Sequence, residues 1–458
     1  MTEQCQNLII GSGVAGKVLA WKIGKAGKTV VIERSMIGGA CPNVACLPSK
    51  NLIYSAKAAS LANPKTGIGV LTGDIRVDMP AVIRRKRQMV ENLIKIHLHE
   101  FEANHAEIVM GEGHFIEPKT IEVELNSGGT RCIRGERVFL DVGTRAAIPD
   151  VLRQAAPMTH VEMLNLERVP EHLVVVGGGY VGLEFAQAMR RFGSRVTIIQ
   201  HGNQLLPGED ADVSDGLLQL MKDEGIRILL QAEIQGVRGL SGAGVQIQVR
   251  AASSELNISA SDILVAAGRT PNTDRLHAEK GNVRLDSNGY VQVNEHLQAT
   301  ADGVWAMGEC AGSPKFTHVG HDDCLIVLDN LSGGKRTTRD RLIPYCLFTD
   351  PEMAHVGLTE TQAKANGVAY RLAKMPWARV LRSHTISATR GFCKALVGED
   401  QRILGFTAFG AEASEMMAAV QIAMLGKLPY TVFQGAILAH PTTAEGLGAL
   451  FSTIQAAD

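Results

Sequence analysis

The side chains with the plainest chemical potential are two cysteines and a histidine–glutamate pair near opposite ends of a 458-residue chain. Cys41 and Cys46 lie in GGACPNVACLPSK, residues 38–50. Two neighbouring thiols can carry an electron pair by closing and opening a disulfide. Their spacing opposes that use in a regular helix, where five residues rise ~7.5 Å along the axis. A disulfide needs its Cα atoms within ~7 Å. The pair therefore bridges only if the first turn is distorted, and Gly38, Gly39 and Pro42 are residues such a turn would use. A helix N-terminus nearby would lower a thiolate pKa and sharpen one cysteine as a nucleophile. The competing reading is two buried thiols at a loop-to-helix junction.

His440 and Glu445 stand in AHPTTAEGLGAL. A histidine titrating near neutrality can take the proton of a thiol, and a carboxylate can hold its tautomer. Thr442-Thr443-Ala444-Glu445 reads equally as a helix capping box, with Glu445 turned to backbone N–H groups. Both readings stay open on the residues alone. His318 and His321 are expected to make ordinary hydrogen bonds.

Such groups need a scaffold, and two glycine loops supply it. LIIGSGVAGKVLAWKIGKAGKTVVIER sets an apolar strand before Gly11, Gly13 and Gly16, a helix after them, and a second strand ending at Glu33 and Arg34. This is the dinucleotide fingerprint in its proper context, with the phosphates held by free N–H groups at the helix start. Glu33 sits near the offset at which an acid accepts hydrogen bonds from a ribose, and Arg34 beside it is a further candidate cofactor contact. The design recurs at LVVVGGGYVGLEFAQAMRRFGSRVTIIQ with Gly177, Gly179 and Gly182, and Gln200 stands where Glu33 stood. Two fingerprints imply two dinucleotides in separate domains, a flavin and a nicotinamide carrier. Gln200 lacks the negative charge that would repel the phosphate of NADPH. The following HGNQLLP offers no arginine to grip that phosphate, so NADH against NADPH stays open.

The length leads us to expect two to four domains. The chain has 46 basic and 47 acidic side chains, so its charge gives no reason to expect a nucleic-acid or membrane partner. No apolar run is long enough for a bilayer, and no secretory signal is legible, so a cytoplasmic location is expected. Eight cysteines in that setting should not form a disulfide framework, and no Cys/His cluster has zinc spacing, so no metal site is expected.

With these motifs in view, the chain resembles the class I pyridine nucleotide-disulfide oxidoreductases, which include dihydrolipoamide dehydrogenase, glutathione reductase and mercuric reductase. The resemblance rests on GGACPNVACLPSK, GGGYVGLEFA, AAGRTPN (266–272), TADGVWAMGEC (300–310), FTDPEMAHVGLTETQA (348–363) and HPTTAEGL (440–447). It implies an α/β fold with two Rossmann-like domains, for FAD and NAD(P), and a C-terminal α+β dimerisation domain. Residues 1–145 and 271–340 would form the FAD domain, 146–270 the NAD(P) domain and 341–458 the dimer interface. By position, Cys46 resembles the thiol facing the flavin and Cys41 the interchange thiol. Lys50 and Glu184 match the ion pair beside the flavin ring, and Tyr180 the tyrosine over the nicotinamide pocket. Gly143, in DVG where the family usually has ATG, and Gly268 fall in cofactor-binding motifs. Glu309 stands in place of an aspartate that binds the ribityl chain. The resemblance makes His440 and Glu445 a catalytic pair that reaches the other subunit's site, which implies a homodimer with shared active sites.

Within the family, WARVLRSHTISATRGFCKALV resembles mercuric reductase, but His440 replaces its tyrosine and the ending LFSTIQAAD lacks its paired cysteines. The segment LDNLSGGKRTTRDRLIPYCLFT (328–349) resembles bacterial reactive-chlorine-resistance flavoproteins, which keep the histidine and reduce a metal ion. The expected acceptor is a small-molecule or protein-bound disulfide. The alternatives are a metal ion, or an NAD(P)H oxidase or quinone reductase that bypasses the cysteines. A long helix is expected from Asp78 to Ala106 with its RRKR run solvated, and KTGIGV and SGGKRTTRD are expected loops.

Overall fold

The computed structural model describes residues 2–62, 69–70, 72–251 and 254–454. Strand β1 (Thr2–Ile10) runs into the first glycine loop, helix α1 (Val14–Ile23) follows, and β2 (Thr29–Glu33) is buried at every position. A strand covered on both faces has no polar alternation to keep, hence the run TVVIE. Helices α2 (Ala40–Val44), α3 (Cys46–Leu61) and α4 (Met79–Ala103) come next. The sheet is completed by β3 (Ala106–Glu117), β4 (Thr120–Leu125) and β5 (Thr130–Leu140). Strands β3, β2, β1 and β5 lie side by side in parallel, and β4 pairs antiparallel with both β3 and β5.

Two short strands, β6 (Thr144–Ala146) and β14 (Arg269–Pro271), pair antiparallel and mark where the chain leaves and returns. Between them, the short helices α5 (Asp150–Arg153) and α6 (His160–Met163) precede a second parallel sheet. It contains β7 (His172–Val176), helix α7 (Tyr180–Arg191), β8 (Arg195–Ile199), helix α8 (Ala211–Asp223) and β9 (Arg227–Leu229). An antiparallel layer of β10 (Ala232–Leu240), β11 (Gly244–Ala251) and β12 (Ser254–Ala260) follows, and β13 (Asp262–Val265) returns to give the order β13-β7-β8-β9. Strand β15 (Val304–Ala306) then rejoins the first sheet beside β5, and α9 (Thr317–Leu331) packs on α1.

The last unit is an antiparallel sheet of β16 (Tyr345–Leu347), β17 (Glu352–Gly357), β18 (Arg371–Pro376), β19 (Phe392–Val397) and β20 (Ile403–Gly410), in the order β16-β17-β20-β19-β18. Helices α10 (Glu360–Ala365), α11 (Leu381–Thr385), α12 (Ala413–Leu425), α13 (Thr431–Gly435) and α14 (Gly446–Phe451) accompany it. Trp377, Phe406 and Phe451 fill its core. A further apolar cluster joins Leu52 and Ala56 of α3, Leu183 and Phe185 of α7, and Met353 and Phe409 of the last sheet. That shared core fixes α3 against both other units.

The long helix is shorter than its pattern suggested. Asp78 is its N-cap, accepting the Ala81 N–H at 2.9 Å, and the helix stops at Ala103 because Ala106 already pairs with Thr29 in the sheet. Its RRKR run is not uniformly solvated. Arg84, Arg85 and Arg87 are exposed, but Lys86 is buried and gives its ammonium to Asn165 Oδ1 at 3.0 Å. SGGKRTTRD is a loop as expected, whereas residues 65–68 of KTGIGV lie outside the described residues. Among the described residues no helix is long and apolar enough to cross a membrane.

Candidate active site

The first glycine loop is built by close backbone approach. Gly11 has φ +96°, and a Cβ there would lie 2.2 Å from the Asp141 carbonyl oxygen. Gly16 packs equally tightly on the Gly11 carbonyl. Gly13 is the N-cap of α1 and makes no side-chain cap hydrogen bond, and in the first turn the Gly16 N–H is taken by the Asp141 carboxyl at 2.7 Å. Glu33, buried at the end of β2, accepts the Ser12 N–H at 3.0 Å and the Ser12 hydroxyl at 2.7 Å. Its other oxygen takes the N–H groups of Ser35 and Met36. Arg34 turns outward toward Glu112 at 3.6 Å.

The second loop repeats the construction. Gly177 has φ +115° and presses on the Ala266 carbonyl, Gly182 presses on the Gly177 carbonyl, and a Cβ on Gly179 would meet open space. Gln200 Oε1 accepts the Gly178 N–H at 2.9 Å, as Glu33 accepts that of Ser12. Its amide nitrogen donates to the Gln204 carbonyl at 3.2 Å. The same loop architecture is therefore closed by a charged acceptor in one copy and a neutral one in the other.

The cysteines resolve the spacing problem through a broken helix. Cys41 lies in α2, which ends at Val44; Ala45 leaves helical geometry at φ −132°, ψ −109°; and Cys46 opens α3. The break lets the two thiols hydrogen-bond each other, both in the free form. That contact drives their acidities apart. The Cys41 hydrogen bond, then the Thr317 hydroxyl and the Lys50 charge, pull Cys46 down to about 6 against burial. Cys41 is pushed far above the usual thiol value, first by its partner and then by burial. Cys46 Sγ lies 3.1 Å from Thr317 Oγ1 at the start of α9.

Lys50, one turn along α3, binds Glu184 of α7 at 2.8 and 3.0 Å, and Glu184 also accepts the Phe348 N–H at 3.0 Å. Tyr180 opens α7, and its hydroxyl donates to Glu209 at 3.3 Å. Its ring meets Phe316 and Tyr345 edge-on, both at 6.1 Å. Since Thr317 follows Phe316, the second dinucleotide helix starts beside the residue that touches Cys46.

His440 and Glu445 pair with each other, Nδ1 lying 3.0 and 3.2 Å from the two carboxylate oxygens. No capping box forms: Glu445 is itself the N-cap of α14, and its side chain makes no cap hydrogen bond. His440 is 66% exposed on the C-terminal unit. Within one chain it is not brought to the cysteines; it faces outward, as does the fully exposed Ile437.

Gly143, at φ +64°, has open space where a Cβ would stand, and Gly268 has nearly as much. Glu309 faces Arg269 Nε at 3.0 Å and the Thr144 hydroxyl. His318 bonds the Pro344 carbonyl at 2.7 Å, an ordinary structural role. Sequence reasoning missed Thr317, for which FTHVGHDD carried no signal. It also passed over Asp141, although the DVG departure from ATG pointed to it. Among the described residues no group of three or more His, Cys, Asp or Glu side chains is placed to hold a metal ion.

Two glycine loops at helix N-termini, a contacting thiol pair and a Lys–Glu pair alongside define a flavin- and nicotinamide-dependent disulfide oxidoreductase. The chain belongs to the pyridine nucleotide-disulphide oxidoreductase family: residues 6–323 match its model, and residues 343–450 match the family's dimerisation domain. It is 34% identical to the probable pyridine nucleotide-disulfide oxidoreductase RclA of Escherichia coli (strain K12), over 98% of this chain and 99% of that protein. It is 31% identical to the mitochondrial dihydrolipoyl dehydrogenase of Pisum sativum, over 96% of this chain and 89% of that one. A solved structure described as the Cu(II) complex of the HOCl-induced flavoprotein disulfide reductase RclA from Escherichia coli superposes with a TM-score of 0.89 at 33% identity. That match covers 99% of this chain and 100% of the other. FAD and NAD(P)H are the family's cofactors, and both cradles fit them.

Proposed function

We propose that the protein uses NAD(P)H to reduce a small-molecule or protein-bound disulfide through a Cys41–Cys46 redox disulfide, as a homodimer in the cytoplasm with active sites shared between subunits. The observation that carries the reading is the contact of Cys46 with Cys41 and Thr317, which lowers its pKa while raising that of its partner. FAD, when bound, supplies the relay of an electron pair from the nicotinamide to sulfur. The chain's residues do the rest. Two electrons break the S–S bond and leave Cys46 as the thiolate, held by the Thr317 hydroxyl and the Lys50 charge. Cys41 attacks the acceptor disulfide and releases one thiol. Cys46 then attacks Cys41 in the mixed disulfide, releasing the second thiol and restoring the cysteine bridge. The two protons needed pass through His440 of the partner subunit, held in its tautomer by Glu445 of the partner subunit. Residues 1–145 with 271–340, 146–270 and 341–458 are the working domains of this reading. Lipoamide as a probe disulfide tests it: Cys41→Ser should abolish NAD(P)H-driven lipoamide reduction while the protein stays yellow, and unchanged turnover would refute it.

A metal-ion acceptor is the second reading. A similar structure is described as a Cu(II) complex, and two adjacent thiols are soft donors of the kind copper favours. Reduction of Cu(II) but not lipoamide by the wild type would replace the first reading with this one.

A further inference from the structure

The first glycine loop encloses a carboxyl group that the reaction does not use. Asp141 follows β5, its N–H donating to the Ile10 carbonyl at 2.8 Å. Its side chain is buried, with Oδ2 accepting the Gly16 N–H at 2.7 Å. The same oxygen lies 2.5 Å from where a Cβ on Gly13 would stand, and Oδ1 lies 3.1 Å from the corresponding point on Gly308. Asp141 thus occupies the N-terminal turn of α1, the turn that must hold the flavin's doubly charged pyrophosphate. Other acids crowd it: Glu33 at the end of β2, Glu309 beside Gly308, and Asp323 of α9, which takes the Gly308 N–H at 2.7 Å. The nearby cation on α1 is Lys17, whose ammonium is buried against His97 Nε2 at 3.1 Å, and Arg341 is already paired with Asp323 at 2.7 Å. Cys310 and Cys324 complete the titratable surroundings.

We propose that Asp141 makes flavin binding proton-linked: the side chain is a neutral carboxylic acid while the pyrophosphate lies on α1, and its ionisation favours release of FAD. An ionised Asp141 satisfies the helix terminus itself, by charge and by the Gly16 hydrogen bond, and so competes with the cofactor for the same turn. A pyrophosphate added beside it at low local dielectric favours the protonated form. The inference rests on reading Gly11–Gly16 as the flavin cradle.

Burial, opposed by the Gly16 N–H and reinforced by Asp323, Glu33 and Glu309, already raises Asp141 to about 8. FAD affinity is therefore expected to be flat below that point and to weaken about tenfold per pH unit above it. Burial holds Lys17 below the usual lysine value and raises Cys310 and Cys324 to about 12, so Lys17 is the competing source of such a slope. The test is the FAD dissociation constant of wild-type protein and Asp141→Asn, read from flavin fluorescence on dilution of holoenzyme from about pH 6 to about pH 9.5. The asparagine variant should show no slope. A proton count on the wild type alone, from indicator absorbance as FAD is added to flavin-depleted protein at about pH 9, should give one proton taken up per FAD. A slope retained in Asp141→Asn, or no proton uptake, overturns the proposal. FAD bound at no pH would overturn the cradle reading as well.

Discussion

Lys50 and Glu184 close on each other across the join between α3 and α7, the lysine nitrogen 2.8 and 3.0 Å from the two carboxylate oxygens. One comes from the helix that Cys46 opens and the other from the helix of the second glycine loop. Glu184 also accepts the backbone N–H of Phe348 from the third unit. Its carboxylate is only 7% exposed and Lys50 is 34% exposed. Lys50→Met should leave a buried charge without its partner and cost about 3 kcal/mol, at the low end for a buried pair because the lysine is partly solvated. Thermal unfolding of the holoenzyme reads this directly, with Lys50→Arg expected to recover part of the loss.

Thr317→Val removes the hydroxyl from Cys46 and keeps the shape. A hydrogen bond to a thiolate lowers its pKa, so the variant should raise that of Cys46 by about one unit. In the wild type the Cys46 thiolate is present above about 6 and disappears as pH falls through that value. Thiolate ultraviolet absorbance of dithiol protein against pH should show the midpoint move upward in the variant.

His440→Ala should lower turnover by about 10²- to 10⁴-fold and leave stability nearly unchanged, because the ring is exposed. Mixed dimers separate a shared site from a self-contained one. A dimer of one Cys41→Ser chain and one His440→Ala chain has one site with both defects and one intact site. Activity should therefore reappear when the two inactive variants are co-expressed.

Gln200→Glu places a charge where Gln200 Oε1 now accepts the Gly178 N–H. The variant keeps that acceptor but repels a ribose phosphate. KM for NADPH should rise at least about tenfold, the effect of about 1.4 kcal/mol, while KM for NADH changes less.

Much of this was legible from local pattern. Both glycine loops, the buried β2 run and the amphipathic α4 follow from periodicity and from residues close in sequence. The Cys41–Cys46 geometry was legible only as a condition, a distorted turn, and the distortion falls at Ala45 rather than at the glycines and proline named for it. The choice between a capped helix and a His440–Glu445 pair could not be made from spacing, since both use the same residues. Thr317 meets Cys46 only because α9 packs on α1, and Lys86 is buried only because Asn165 approaches from the other unit. Contacts made by packing distant segments leave no periodic trace.

The most direct measurement is anaerobic titration of the purified protein with NADH and, separately, NADPH, followed by its visible spectrum. Uptake of two electrons should produce a long-wavelength thiolate-to-flavin band that is lost in Cys46→Ser, and the nucleotide that produces it is the one the enzyme uses. Direct bleaching of the flavin without that band would contradict the account, making the cysteines bystanders and the protein an NAD(P)H oxidase or quinone reductase.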